Sequence, residues 1–249
     1  MSRRRWSVVL VFAAALVVVT ACSGPSTPAP ATGSSSRPAP KAVNIPGALP
    51  GNQVESAVKS AFSGATAVHI KGTLTNSTGT LSLDLQLNKD NTASGTISEG
   101  GATIPLVAVN GKFYVQFTPE MISKSTNASV GQLGSALSNK WVSLDSSLAS
   151  TMVAGIKPLL SFDSFVSSMF GQASEVPTLT GTDVVNTLPV YTYESADGSV
   201  VYVGKAGPHY LARMTAPASG SGSIDFTGWN RPVPVTAPPA SAIYTGPGA

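Results

Sequence analysis

In the run Leu81-Ser82-Leu83-Asp84-Leu85-Gln86-Leu87, leucine alternates strictly with a polar residue. On a helix those leucines would be spread around the axis. On an extended strand successive side chains point to opposite faces, so the leucines line one side and the polar residues the other. Such a strand has one face buried and one in water, as in an antiparallel sheet covered on a single side. Shorter runs repeat the pattern. Val68, Ile70, Gly72 and Leu74 alternate with His69, Lys71 and Thr73; Phe113, Val115 and Phe117 alternate with Tyr114 and Gln116. Residues 93–98 and 104–109 read as strands joined by Gly100-Gly101. Asn110-Gly111, the strongest hairpin signal in the chain, leads into Phe113. The first half is therefore predicted to be an antiparallel meander. Strands return at 180–186, 190–194, 200–205, 210–215 and 223–228, with a second hairpin signal at Asp197-Gly198, and 233–237 is expected to close the sheet.

Helical periodicity interrupts the strands. Val54, Ala57, Val58, Ala61 and Phe62 fall on one face, with Gly64 at a C-cap position. In the middle, Leu148, Met152, Val153 and Ile156 share a face, and Pro158 stops that helix. Phe162, Phe165, Val166, Met169 and Phe170 share another that ends at Gly171, with Asp163 or Ser161 able to cap its start. Residues 119–138 fit either a short helix or a loop, and Trp141-Val142-Ser143-Leu144 a short strand. Strands, then amphipathic helices, then strands make an α+β fold whose helices pack on one face of the sheet. A curved sheet bridged by helices can enclose an apolar space. The same residues can equally fill an ordinary core, and spacing does not separate the two.

The two ends read differently. Arg3, Arg4 and Arg5 precede an apolar run from Trp6 to Val19, which closes on Val19-Thr20-Ala21-Cys22. A basic start and an apolar stretch too short to span a membrane are the parts of an export signal. Small residues before a cysteine resemble the site read by the lipoprotein-processing peptidase. Residues 1–21 are therefore read as a lipoprotein signal peptide. Cys22 is the only cysteine, so it has no internal disulfide partner and is expected to carry the lipid. At about 0.8 kcal/mol per buried methylene, a multiply acylated terminus holds a protein on a membrane durably. Residues 22–48 consist largely of small residues and proline and are expected to form a disordered, semi-extended tether. The folded domain is expected at 49–240, and 241–249 as an irregular tail.

The formal charge of +3 comes from the three arginines before Cys22, a segment with no acid, so the mature chain is formally neutral. It has no basic stripe for nucleic acid. Only 11% of residues are charged, which suits a weakly charged extracellular protein. The histidines, His69 and His209, fall on the polar side of a strand and after a Gly-Pro turn. No His, Cys, Asp and Glu cluster has metal-ligand spacing, and no G-x-S-x-G elbow, phosphate loop or dinucleotide fingerprint occurs. Asp183, Asp225 and Glu194 read as solvated strand or turn residues. Neither catalysis nor a metal or cofactor is expected.

Several short stretches occur in a telling order. They are Ala67-Val68-His69-Ile70 after the first helix; Ala93-Ser94-Gly95-Thr96-Ile97 followed by Gly100-Gly101; Val109-Asn110-Gly111-Lys112-Phe113-Tyr114-Val115; Gly207-Pro208-His209-Tyr210-Leu211-Ala212; and Ile224 to Trp229 followed by Val233-Pro234-Val235-Thr236-Ala237-Pro238-Pro239. With them, residues 50–240 resemble the LolA-like, LppX/LprG-type lipoproteins of mycobacteria and related actinobacteria. Residues 119–177 depart most from that pattern. The resemblance implies a curved antiparallel half-barrel sheet with helices packed on its concave face. It also implies a space there for acyl chains of a lipid or glycolipid carried between membrane and outer envelope. By that likeness Ile97 faces the cavity. The inward sets Val68, Ile70 and Leu74; Leu81, Leu83, Leu85 and Leu87; and Phe113, Val115 and Phe117 would line it. Met152, Ile156, Phe162, Phe165, Val166, Met169 and Phe170 would join them from the helices. The expected protein is a lipid carrier anchored on the extracytoplasmic face of the cell membrane, with an envelope transporter as a candidate partner. The alternative is a non-catalytic interaction or transporter-accessory module with a filled core.

Overall fold

The computed structural model describes residues 37–77, 79–125, 128–147, 156–165 and 175–247. Five strands follow one another as hairpins: β1 (Ala67–Asn76), β2 (Gly79–Asn88), β3 (Ala93–Glu99), β4 (Ala102–Val109) and β5 (Lys112–Gln116). Three short helices, α2 (Pro119–Lys124), α3 (Ala128–Gln132) and α4 (Gly134–Leu137), lead to β6 (Trp141–Ser143), which pairs with β5. A second meander comprises β7 (Thr178–Val185), β8 (Leu188–Glu194), β9 (Val200–Gly204), β10 (Leu211–Thr215) and β11 (Ser221–Thr227). The meanders join through their first and last strands, β1 against β11. The result is one antiparallel 11-stranded sheet in the order β6-β5-β4-β3-β2-β1-β11-β10-β9-β8-β7. This order places β6 and β7 at opposite edges, so the chain between them must cross a face of the sheet.

The described residues of that chain lie on the face already made apolar by alternation. Helix α1 (Gly51–Gly64) lies there and buries Val54, Val58, Ala61 and Phe62. Met121, Val130 and Leu137 of the three short helices, Leu144, Ile156, Leu159 and Leu160, and Phe162 and Phe165 of the helical residues 162–165 join the same core. The sheet is a curved half-barrel with the helices on its concave side, and glycine permits the bending. Gly95 has φ +147°, and a Cβ on it would stand 2.0 Å from the Asp84 carbonyl oxygen; Gly222 has φ +99° and the same 2.0 Å separation from the Thr73 carbonyl. Only glycine lets neighbouring strands approach this closely.

The hairpins turn where Gly100 and Gly101 (φ +58° and +78°) and Asn110 and Gly111 (φ +53° and +72°) supply paired left-handed conformations. The β7–β8 hairpin uses Asn186 and Thr187 (φ +49° and +68°) in the same way, with no Gly to announce it in the sequence.

Other expectations need correction. Residues 233–237 form no strand. Pro232 and Pro234 have no N–H for a ladder, and the Val233 backbone is held by one side chain instead. Asn88 Nδ2 donates to the Val233 carbonyl at 2.8 Å, and the Val233 N–H donates to Asn88 Oδ1 at 3.3 Å. Gly64 is the last helical residue, and the extended Ala65 is the cap. Ile156 leads into a 3-10 turn, Lys157–Leu160, that begins around Pro158. Part of the segment expected as tether is docked: the Val43 N–H donates to the Leu179 carbonyl at 3.0 Å, and Ile45, Ala48 and Leu49 pack on the core. The tail is irregular but also docked. Ile243 bridges Trp141 of β6, Tyr244 is buried, and Lys140 donates to the Ser241 carbonyl at 2.9 Å. Cys22, Met152, Val166, Met169 and Phe170 lie outside the described residues.

Candidate functional site

The pairing registers define the floor of the concave space. Leu179, Tyr193, Val201, Met214, Ile224, Gly72, Leu83, Ile97 and Ile104 stand opposite one another on successive strands from β7 round to β4. Gly72 alone interrupts this apolar row. At about 4.8 Å per strand it is roughly 40 Å long. One step towards the hairpin turns that join β1 to β2 and β3 to β4, Leu74 pairs with Leu81. This end is called the rim. One step the other way, Val115, Leu106, Leu85, Ile70 and Phe226 form a second row with Gly95 among them, and beyond it lies the base.

Burial separates the two ends. In the inner row Ile70, Leu85 and Val115 are 0% exposed, Leu106 1% and Phe226 3%. Leu74 and Leu81 at the rim, and Leu179, Val201, Met214 and Ile104 of the floor row beneath it, are only half-buried against the same core, while Leu83, Ile97, Tyr193 and Ile224 of that row are buried. The base is closed by rings. Phe62 makes edge contacts with Phe162 at 5.9 Å, Phe226 at 6.1 Å and Trp229 at 4.7 Å between centroids, and Tyr210 stacks on Trp229 at 4.5 Å. The Trp229 indole also donates to the Leu211 carbonyl at 3.1 Å. Such ring contacts add to area burial and fix geometry.

Two walls flank the rim. One is α2 with Met121 and Ile122, followed by Leu133. Thr118 caps α2 by accepting the Met121 N–H at 3.2 Å, and Lys124 donates to the Gly100 carbonyl at 2.7 Å, which ties the helix to the β3–β4 turn. The other wall is the chain before α1, with Ile45, Ala48 and Leu49. Its Leu49 carbonyl accepts a hydrogen bond from the buried Tyr193 hydroxyl at 2.9 Å. Burial pushes the Tyr193 phenol up from its ordinary value, so it stays a neutral donor.

The polar groups stand on the other face. Behind the rim row runs a line of hydroxyl residues, Thr215, Ser223, Thr73, Ser82, Ser98 and Thr103, one per strand. Thr73 with Ser82 and Ser98 with Thr103 are each 2.8 Å apart. Beside them Asp84 lies 2.7 Å from both Lys71 and His69, and Lys71 first, then His69, hold its carboxyl below the usual range. Arg213 grips Asp225 with two bonds, 2.5 and 3.0 Å, and lowers that carboxyl likewise. Glu194 pairs with Arg37, and Asp183 accepts the Val184 N–H at 2.7 Å, so the acidic residues read as solvated are engaged. His209 adopts φ +59°, with Nδ1 3.0 Å from the Gly204 carbonyl. Among the described residues no three His, Cys, Asp or Glu side chains converge. An open cleft of about 430 Å³ between the β7–β8 turn and Trp229 lies at the base, away from the rim. What the concave space can do chemically is take apolar surface out of water.

Of the residues singled out from sequence, Val68, Ile70, Leu83, Leu85, Leu87, Ile97, Val115, Phe117, Ile156, Phe162 and Phe165 are buried in one cluster, with Leu74, Leu81 and Phe113 half-buried against it. Sequence reading missed Leu179, Tyr193, Val201, Met214 and Ile104. Irregular pairing between Leu179 and Gly181 and between Leu211 and Arg213 shifts the register there, so period-two counting loses the face of β7 and β10. Ile104 was detectable, because it alternates with Thr103 and Pro105.

No family model matches the sequence, and no curated protein does. Solved structures do. LprF from Mycobacterium bovis superposes with a TM-score of 0.50 at 16% identity, over 76% of this chain and 96% of LprF. The chain has the fold of LprF. The lipoprotein LppX from Mycobacterium tuberculosis aligns with a TM-score of 0.44 at 18% identity, over 74% of this chain and 99% of LppX. Because nearly all of LprF is matched, the likeness extends over the domain rather than one hairpin. At this identity the side chains on the LprF-like sheet are this chain's own, so its site is argued from its own rows.

Proposed function

We propose that the protein is an envelope lipoprotein, anchored through Cys22 on the extracytoplasmic face of the membrane. In this reading it binds the acyl chains of a lipid or glycolipid between sheet and helices and carries that lipid from the membrane towards the outer envelope. The observation that carries it is the half-buried apolar rim, at the end of the face opposite the ring cluster. Acyl chains lie against Leu74, Leu81, Ile104, Val201 and Met214, and the donor or acceptor of the lipid meets the rim. Covering ~500 Å² of acyl surface at roughly 25 cal/mol/Å² is worth on the order of 12 kcal/mol before association costs. Neither a cofactor nor a catalytic step takes part, and an envelope transporter is a fitting partner. A resemblance to mycobacterial lipoproteins and the shared fold of LprF support this reading.

The full burial of the inner row favours a second reading, an interaction module whose concave face is filled by its own side chains. Native mass spectrometry of the mature chain carrying Cys22→Ser, incubated with envelope lipids and followed by organic extraction, separates the two. A stoichiometric acylated adduct is the expected result. A bare protein mass would move the function to the surface.

A further inference from the structure

We propose that residues 37–49 are a detachable strap that closes one side of the rim and sets how far the domain stands from its membrane anchor; this rests on the carrier reading above. The strap begins outside the sheet, where Arg37 pairs with Glu194 beside the β8–β9 turn. It crosses the β7 edge, where the Val43 N–H bonds the Leu179 carbonyl at 3.0 Å. It ends on the concave side, where Ile45, Ala48 and Leu49 rest on the core and Leu49 accepts the Tyr193 hydroxyl. Leu179 and Tyr193 are the last two members of the floor row beneath the rim. The strap thus stands against the end of the row that an acyl chain would use.

Its backbone pairing is slight compared with that within the sheet. Strands β7 and β8 are paired from Thr178 with Glu194 to Val185 with Leu188. The strap meets β7 through one backbone bond, and its Arg37–Glu194 pair is 43% exposed on the arginine side and 20% on the glutamate side. Exposed pairs of this kind hold weakly. Edge strands are ordinarily covered, and this cover is continuous with the chain that runs to Cys22. With the strap docked, residues 23–36 limit the reach from the lipid to roughly 50 Å; with it released, residues 23–49 allow roughly 95 Å. One event therefore bares Leu179 and Tyr193 and nearly doubles the reach.

Two measurements on the mature chain carrying Cys22→Ser test this. Hydrogen exchange of the Val43 amide should be at least 100-fold faster than that of the paired β8 amides, because the strap opens without the sheet. Equal protection would make the strap part of the core and overturn the proposal. The second uses a fluorescent 16-carbon fatty acid and an excess of phosphatidylethanolamine vesicles as acceptor. Val43→Pro removes the backbone donor, and Arg37→Glu independently breaks the ion pair. Each should speed release of the probe at least fivefold while the unfolding midpoint stays within a few degrees. Unchanged release from folded variants would also overturn it. If the wild-type chain takes up no probe, the carrier reading fails, and the exchange measurement alone decides whether the strap detaches.

Discussion

The rim and the base of the concave face are built from the same strands, yet they are filled differently. At the base, Phe62, Phe162, Phe226 and Trp229 lock edge to face, and the large side chains of the inner row are buried. At the rim and the floor row beneath it, Leu74, Leu81, Val201 and Met214 keep part of their apolar surface accessible. Aromatic groups close-pack into a fixed arrangement, whereas leucine and methionine present an adaptable surface. The base resembles a finished protein interior. The rim resembles an interior that lacks its last layer, and an acyl chain has the chemistry to supply it.

Substitutions can break or sharpen this contrast. Phe62→Ala removes the ring at the centre of the base cluster and should cost about 3–5 kcal/mol in denaturant unfolding. A loss below 1 kcal/mol would mean that the base is not close-packed. Asn88 is 3% exposed and fastens the segment after β11 across the base end of β2. Asn88→Ala should cost roughly 1–3 kcal/mol by leaving Val233 unpaired, with lipid loading unchanged in the folded fraction.

A smaller effect belongs to the outer face behind the rim. Arg213 lowers the Asp225 carboxyl below its unfolded value. Its stabilising contribution is therefore complete above the ordinary carboxylate range, near pH 4, and fades as the pH falls through the lowered folded value. The stability gap between wild type and Asp225→Asn, measured at pH 7, should close on titration towards pH 2. A gap that persists there would point to lost packing instead of lost charge. The smallest change in stability is expected for Leu81→Trp at the half-buried rim, under about 1 kcal/mol, although it should abolish most lipid uptake. The same enlargement at Ile97, 2% exposed, would overpack the sheet and confound binding with folding.

The contrast was only half legible in the sequence. Strict alternation in β2, and the Gly100-Gly101 and Asn110-Gly111 turns, mark the first meander and its inward face in the sequence itself. The β1–β11 pairing that fuses the two meanders joins residues about 150 positions apart, and local periodicity carries no such signal. Met214 and Leu179 were hidden because pairing irregularities reset the parity of their strands. The docked strap was hidden by its composition. Pro, Ala and Gly near 37–49 read as a tether, and two of the groups that hold it there, Arg37 and Val43, act through partners more than 130 positions away. The difference between rim and base lies in how completely an apolar face is covered, which depends on tertiary neighbours.

The most direct test is to load the mature chain with a diazirine-bearing palmitic acid, irradiate it and map the adducts by peptide mass spectrometry. Adducts on the peptides that contain Leu74, Leu81, Ile104, Val201 or Met214, one fatty acid per chain, are the expected result. Adducts concentrated on Phe62, Phe162 or Phe226, or a folded chain that carries none, would contradict an acyl chain bound at the rim.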